Sequence, residues 1–295
     1  MDRLPYVHRL LLRKPLSRDK RGASDNDGHS VRSASCRDYL RREPISPYEG
    51  HPKQAMISVI IPTLNEEKII GDTLANLQGL RRAGHEVIVS DSASTDRTRE
   101  IAGRHADAVL VEPQPEKRTI ARGKNRGARG AHGDFLIFID ADVAIPDPPE
   151  FAKTALSAFS ENPRLVGLTG YLKVSPGQAT LADRFFFGVV NIVHRLNNNV
   201  LGIGSASGEF QMIRARAFRE LGGYREDLVV TEDNEFFHRL AKFGQTRFEP
   251  RLTVYHTGRR PHALGWPRVL FEWVRNDLSL KFRNRSASKE WSAIR

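Results

Sequence analysis

A single cysteine, Cys36, in 295 residues forbids an internal disulfide and agrees with a reducing compartment. Long apolar runs are missing too. The longest, Phe185 to Val193, falls well short of the roughly 18–20 residues that cross a bilayer, and Asn191 interrupts it. No secretory leader is expected, because the early apolar stretch YVHRLLLRK is brief, broken by Arg, and followed by no small-residue cleavage site. No Gly-x-Gly-x-x-Gly follows an apolar run, which disfavours a dinucleotide-dependent oxidoreductase. Aromatics make up 8%, and no basic surface interleaves with them, so no nucleic acid is expected as a partner. A wholly disordered chain is excluded by the 39% of hydrophobic residues.

What the chain has in excess is positive charge. It carries 46 Lys and Arg against 35 Asp and Glu, a net +11, spread along the sequence without a block of like charge. An anionic partner is implied, and a phosphorylated ligand and an anionic membrane surface both stay open on charge alone. Residues 1–55 read as a poorly ordered basic extension, since SRDKRGASDNDGHSVRSAS is polar, Gly/Ser-rich and aperiodic. Within it, Tyr6 to Lys14 reads either as a short basic amphipathic helix on a membrane or as a solvated tail. Residues 56–260 are expected to hold the main folded domain, and 261–295 a C-terminal helix and a polar tail.

From Ile57 short apolar runs alternate with longer helical patterns. ISVII, EVIVS, AVLV and FLIFI predict strands at 57–61, 86–90, 108–111 and 135–139, with helices near 66–80, 95–104 and 117–131. That alternation predicts an α/β fold with a parallel, doubly wound sheet, whose chemistry gathers at the carboxyl ends of the strands. Beyond residue 145 the pattern predicts helices near 148–160, 180–197, 231–243 and 264–283, and strands near 165–174 and 246–256.

The strand ends carry polar turns: Thr63-Leu64-Asn65-Glu66-Glu67, Asp91-Ser92-Ala93-Ser94-Thr95-Asp96 and Asp140-Ala141-Asp142. The first two suit helix capping as well as they suit a ligand. The third is different, because two carboxylates directly after the most apolar strand repel each other unless a cation or a donor lies between them. A hard divalent ion, Mg²⁺ or Mn²⁺, prefers such oxygen ligands and shares them with substrate phosphates and water. Asp142 is then the metal ligand and Asp140 its partner toward sugar or ribose. Arg118, Arg122, Lys124 and Arg126 supply cations ahead of the fourth strand, with a solvated helix face as the alternative for most of them. Thr231-Glu232-Asp233 offers a carboxylate either as a base or as an ordinary first-turn acid.

Taken in order, ISVIIPTLNEE, VIVSDSASTDRT, RTIARGKNRGARGAHGDFLIFIDAD, GEFQMIRARAFRELGGYRED and TEDNEFFHRLAKFG resemble the A-type, family-2 nucleotide-sugar glycosyltransferases over about residues 56–260. The resemblance implies a GT-A fold: a Rossmann-like, mostly parallel mixed sheet flanked by helices. It implies a nucleoside-diphosphate sugar as donor, a divalent metal as cofactor, and inversion of the anomeric centre. By position, Thr63 and Glu66 line the nucleoside pocket, Asp91 contacts the base, Lys124 lies near the nucleotide, and Asp142 ligates the metal. Asp233 matches the catalytic base and Glu232 supports it. His256, after the last strand, is placed to reach the metal or a phosphate, with a plain hydrogen-bonded surface role as the alternative. Glu209 departs from the small or aromatic residue frequent in the family. The acceptor, a saccharide or a lipid-linked envelope precursor, is not encoded in these motifs. The expected location is cytoplasmic, peripheral on the inner membrane face. A nucleotidyltransferase is the runner-up, disfavoured because Thr63 to Glu67 stands where such enzymes have a Gly-rich basic loop. A non-catalytic basic scaffold leaves the rim of carboxylates unexplained.

Overall fold

The computed structural model describes residues 55–114, 116 and 118–288. The expected extension, with its Tyr6 to Lys14 segment, and the end of the polar tail lie outside the described residues.

Four short strands, β1 (Ile57–Thr63), β2 (Glu86–Asp91), β3 (Ala108–Val111) and β4 (Phe135–Phe138), run parallel. They are connected in turn by α1 (Ile70–Asn76) with α2 (Gln78–Arg82), by α3 (Thr98–His105) and by α4 (Ile120–Arg129). The second half adds α5 (Pro148–Glu161), β5 (Leu165–Val174), α6 (Leu181–Asn199), β6 (Gln211–Arg214), α7 (Ala215–Glu220), α8 (Glu232–Phe243), β7 (Gln245–His256), α9 (Arg259–Leu264) and α10 (Trp266–Arg283). One sheet results, in the order β3-β2-β1-β4-β6-β5-β7, with β6 antiparallel to both its neighbours.

The strands are covered on both faces, which is why they read as continuous apolar runs rather than alternating ones. Ile57, Val59, Ile61, Val87, Val89 and Phe151 pack on one side of the sheet. Ile60, Leu136, Phe138, Ile213, Phe236 and Phe237 pack on the other. Each such side chain contributes about 1.5–3 kcal/mol by leaving water. The connections from β1 run out to β3 and then return to β4 on the opposite side of β1. Strand order therefore reverses between β1 and β4, and the crevice for a ligand opens beyond their carboxyl ends.

The predicted elements are present, with two adjustments. The helix expected at 66–80 begins at Ile70, after a turn closed by the Glu66 C=O, and divides at Leu77 into α1 and α2. The helix expected from 264 divides at Gly265 (φ +78°), so α9 and α10 are separate. β6 and α7 were not expected. QMIR is only four residues long and takes its extended form from pairing with β4 and β5 on either side, a tertiary effect with no local signature.

Candidate active site

The cleft at the β1/β4 switch has a volume of about 1630 Å³ and is walled by residues from β1, α4, the turn after β4, β5, α6, α8, β7, α9 and α10. That is more than one small ligand fills, which suits two substrates side by side.

The turns after β1 and β2 interlock. Asn65 N–H donates to Ser94 Oγ at 2.8 Å, Thr95 N–H to Asn65 Oδ1 at 2.8 Å, and Glu66 N–H to Thr98 Oγ1 at 2.7 Å. Asp91 is fully buried, and its carboxylate accepts from Thr63 Oγ1 at 3.0 Å and from the Ser94 N–H and hydroxyl. Of the expected nucleoside contacts, Thr63 and Glu66 line the cleft; the Asp91 side chain lies beneath the rim, where it organises the turn. Glu66 and Asp142 are instead joined by one guanidinium. Arg259, from the first turn of α9, donates to Glu66 Oε2 at 2.7 Å and Oε1 at 3.1 Å, and its Nε sits 3.3 Å from Asp142 Oδ2. Thr257 Oγ1 donates to the same Asp142 oxygen.

Lys124 is fully buried, 0% exposed. It reaches the cleft because α4 lies close against the sheet: a Cβ on Gly127 would meet Ile60 Cγ2 at 2.3 Å, so only glycine allows that approach. Its Nζ donates to Glu232 Oε1 at 2.9 Å and stands over the Tyr224 ring, 5.1 Å from its centre. Burial alone would lower the Lys124 pKa, but Glu232 and the nearby Asp233 and Asp140 outweigh it, and the ammonium is held more firmly than in water. Gly208 backs onto this pair of charges: a side chain there would begin 3.6 Å from both Lys124 Nζ and Asp140 Oδ2. Of the other expected cations, Arg122 and Arg126 are committed to Glu112 and Glu226, while Arg118 lines the cleft.

Glu232 and Asp233 open α8, immediately after Thr231, whose φ of +67° is unfavourable for a β-branched residue. Such strain costs about 1–3 kcal/mol and is kept where geometry matters. Here the left-handed turn delivers both carboxylates into the cleft. Desolvation, then repulsion from Glu232 and Glu209, against the attraction of Lys124, raises the Asp233 pKa to about 7. Desolvation, Glu209 and Asp142 raise that of Asp140 to about 8.

A carboxyl group whose folded pKa lies above its unfolded value of about 3.9 destabilises the fold as pH rises between the two values. Asp140→Asn is therefore expected to raise the melting temperature at pH 8, by about 2–4 °C for each kcal/mol relieved, with the gain vanishing near pH 4. Melting curves of the variant and its parent across that range check it. An equal gain at all pH values would mean that charge is not the cause.

His256 is buried, with its ring edge-on to Phe187 at 4.7 Å. Its Nδ1 accepts the Gly258 N–H at 3.2 Å, and its Nε2 is buried with no hydrogen-bond partner among the described residues. Among the described residues no three His, Cys, Asp or Glu side chains form a metal cage. Two residues with chemistry were not marked from the sequence. His194, on α6, lines the cleft; its Nδ1 lies 2.6 Å from Ser205 Oγ, its Nε2 lacks a partner among the described residues, and burial lowers its pKa to about 4. Asn234, next to Asp233, accepts from Ser205 Oγ at 3.1 Å and ties that network to the head of α8. Nothing in FFFGVVNIVHRL distinguishes His194 from a surface residue of an ordinary amphipathic helix.

A profile of glycosyl transferase family 2 matches residues 58–222, more than half of the chain. The chain belongs to glycosyl transferase family 2. The transferase is similar to the succinoglycan biosynthesis protein ExoA of Rhizobium meliloti, 31% identical over 198 residues, which are 63% of this chain and 58% of that protein. It is also similar to the poly-β-1,6-N-acetyl-D-glucosamine synthase of Staphylococcus epidermidis, 25% identical over 212 residues, 70% of this chain and 50% of that one. The chain thus spans a little over half the length of these curated relatives. Among solved structures, the mannosyltransferase PcManGT from Pyrobaculum calidifontis, in complex with GDP-Man and Mn²⁺, shares the transferase's fold with a TM-score of 0.61 at 20% identity, over 84% of this chain and 70% of that one. Residues 1–349 of S. aureus TarS, in complex with UDP, match with a TM-score of 0.54 at 20% identity, over 80% and 67% of the two chains. The mixed, mostly parallel sheet of the transferase is the GT-A fold.

Proposed function

We propose that this glycosyltransferase moves a sugar from a nucleoside diphosphate to an acceptor hydroxyl with inversion, using Asp233 as base and a divalent cation at Asp142. The observation that carries the reading is the pair of carboxylate sets facing one cleft: Asp140 and Asp142 at the end of β4, Glu232 and Asp233 at the head of α8. The first set suits a cation and a diphosphate, the second a proton transfer.

The donor set fits the ion. Asp142 is a hard oxygen ligand, and one or two protein ligands are enough for Mg²⁺ or Mn²⁺ when phosphates and water complete the shell. His256, with Nδ1 accepting the Gly258 N–H, carries the proton of the neutral ring on Nε2 and offers it to a phosphate oxygen. To join Asp142 on the ion, the ring would first have to give up that contact. The bound cation would supply Lewis-acid neutralisation of the leaving diphosphate. Arg259 adds positive charge beside it, and Thr63 and Glu66 border the nucleoside end.

At the other side of the sugar, an Asp233 oxygen accepts the acceptor's hydroxyl proton while that hydroxyl oxygen bonds to the anomeric carbon. The carbon–oxygen bond to phosphate breaks and its electron pair leaves with the diphosphate. Because nucleophile and leaving group lie on opposite faces, the configuration inverts. Lys124 fixes Glu232, and Glu232 in turn helps keep Asp233 basic near neutrality. A base whose pKa lies near the working pH is the most effective one. Mn²⁺ and GDP-Man or UDP in the solved structures of similar fold support the donor class.

The test is a melting screen of UDP, GDP, dTDP and CDP, each with Mn²⁺, Mg²⁺ or a chelator. Binding to the native state alone stabilises by about 2.7 kcal/mol at a hundredfold excess over Kd. One nucleoside diphosphate should raise the melting temperature with metal and lose that effect with chelator. Asp142→Ala should abolish the metal-dependent part; a variant that keeps it removes the metal from Asp142.

A further inference from the structure

α6 is an inverted helix. Its inward stripe is largely polar and hydrogen-bonded: Asp183 accepts from Trp266 Nε1 at 2.9 Å, Asn191 bonds both the N–H and the C=O of Leu172, and Asn198 bonds the Ser205 backbone. Its outward stripe is apolar. Leu181, Phe185 and Ile192 are 82%, 65% and 60% exposed. α10 repeats the arrangement in part: Trp266 and Val269 are buried at its start, but further along Asn276 and Ser279 are the buried residues, with Asn276 turned onto Ala287 and Ser288, and Phe271, Val274 and Phe282 are outward, 65%, 58% and 82% exposed. Single exposed apolar side chains need no explanation, but two helices that bury polar groups and display apolar ones do.

The two faces belong together. Trp266, at the start of α10, stacks on Phe186 of α6 with ring centres 4.6 Å apart, and both helices border the cleft, through Val189 and Val193 on one side and Trp273 and Leu278 on the other. Cations are interleaved with the apolar groups. Arg184, Arg195, Arg283 and Arg285 make no ion pair among the described residues. The acids of α10 are already matched, Glu272 by Arg260 and Arg268, and Asp277 by Lys281. A second copy of the chain laid on this surface would bury unpaired guanidiniums with no free carboxylate to meet them. A bilayer with anionic headgroups satisfies both parts at once: apolar side chains enter the acyl boundary and the arginines stay at the phosphates. Among the described residues no helix is long and apolar enough to cross a membrane.

We propose that the outward faces of α6 and α10 dock the protein on an anionic lipid surface, with the mouth of the catalytic cleft at headgroup level. Given the transferase reading, the acceptor hydroxyl then belongs to a molecule carried at that surface.

The full chain is floated with vesicles of phosphatidylcholine alone and of equimolar phosphatidylcholine and phosphatidylglycerol. Binding is expected to the anionic vesicles, much weaker to the neutral ones, and reduced by salt. Phe185→Ser and Phe282→Ser should each lower the partition coefficient roughly tenfold, and Arg195→Glu roughly fivefold or more at low salt, without lowering the melting temperature. Absence of binding to anionic vesicles, or variants that float like the parent, overturns the proposal. So does a dimer in sedimentation that Phe185→Ser and Phe282→Ser dissolve, since the face would then belong to a second copy. The nucleoside diphosphate melting shift is read on the same samples. A retained shift without vesicle binding defeats only the membrane proposal, and vesicle binding without a shift defeats only the nucleotide-sugar reading.

Discussion

Asp233→Asn should cut sugar transfer by roughly 10²–10⁴-fold while leaving nucleoside diphosphate binding nearly unchanged, the scale expected for loss of a general base. The substitution keeps the size of the side chain and its hydrogen bond from the Asn234 N–H, and removes only the basic oxygen. The pH profile distinguishes a base from a merely structural carboxylate. In the parent the proton acceptor has a pKa raised to about 7. Below that value the fraction in the basic form falls tenfold for each pH unit, so kcat/KM should climb up to about pH 7 and then level. The variant's residual rate should lack that limb. Kinetics at saturating donor, with binding followed separately by the melting shift, check both parts. If binding and turnover fall together, Asp233 holds the donor or the fold and is not the base.

The elements that place the site were legible because they rest on local signals. Buried parallel strands must be apolar throughout, and their ends must carry the polar chemistry, so β1, β2, β4 and the turns after them could be read directly. Lys124 stood out only through its neighbours in sequence, yet its burial follows from Gly123 and Gly127, which allow α4 to settle on β1 and β2. What was not legible depends on tertiary pairing. β6 is four residues long and owes its form to strands 75 and 45 positions or so away in sequence. The joining of Glu66 and Asp142 by Arg259 links residues almost 200 apart. The inverted character of α6 is hidden for the same reason. Periodicity reports that one stripe is apolar, and ordinarily that stripe faces the core. Here Asp183, Asn191 and Asn198 face inward because the backbone of β5, the indole of Trp266 and the Ser205 turn offer them hydrogen bonds.

Removing the Lys124 ammonium should have the largest effect on the fold itself. In Lys124→Met the apolar stem is kept, but Glu232, 5% exposed, loses its partner at 2.9 Å, and Asp140 and Asp233 lose the cation that offsets burial and the repulsion of Glu232 and Glu209. Breaking one half of a buried pair costs about 3–5 kcal/mol, a large part of the 5–15 kcal/mol that holds a typical domain together. A fall in melting temperature of about 10 °C or more at pH 8 is expected. Asp140 and Asp233, already raised by burial, are pushed further above their unfolded pKa values when the cation is lost, and they relieve the loss by taking up protons. Stability of the variant should therefore recover as pH falls from 8 toward 5, whereas loss of a packing contact would give a deficit independent of pH. Lys124→Met combined with Glu232→Gln removes the orphaned charge and should regain part of the melting temperature, while transfer stays low, since Asp233 then lacks both neighbours that set its basicity. A single variant that melts like its parent at pH 8 would mean that Lys124 is not the cation on which this cluster of acids depends.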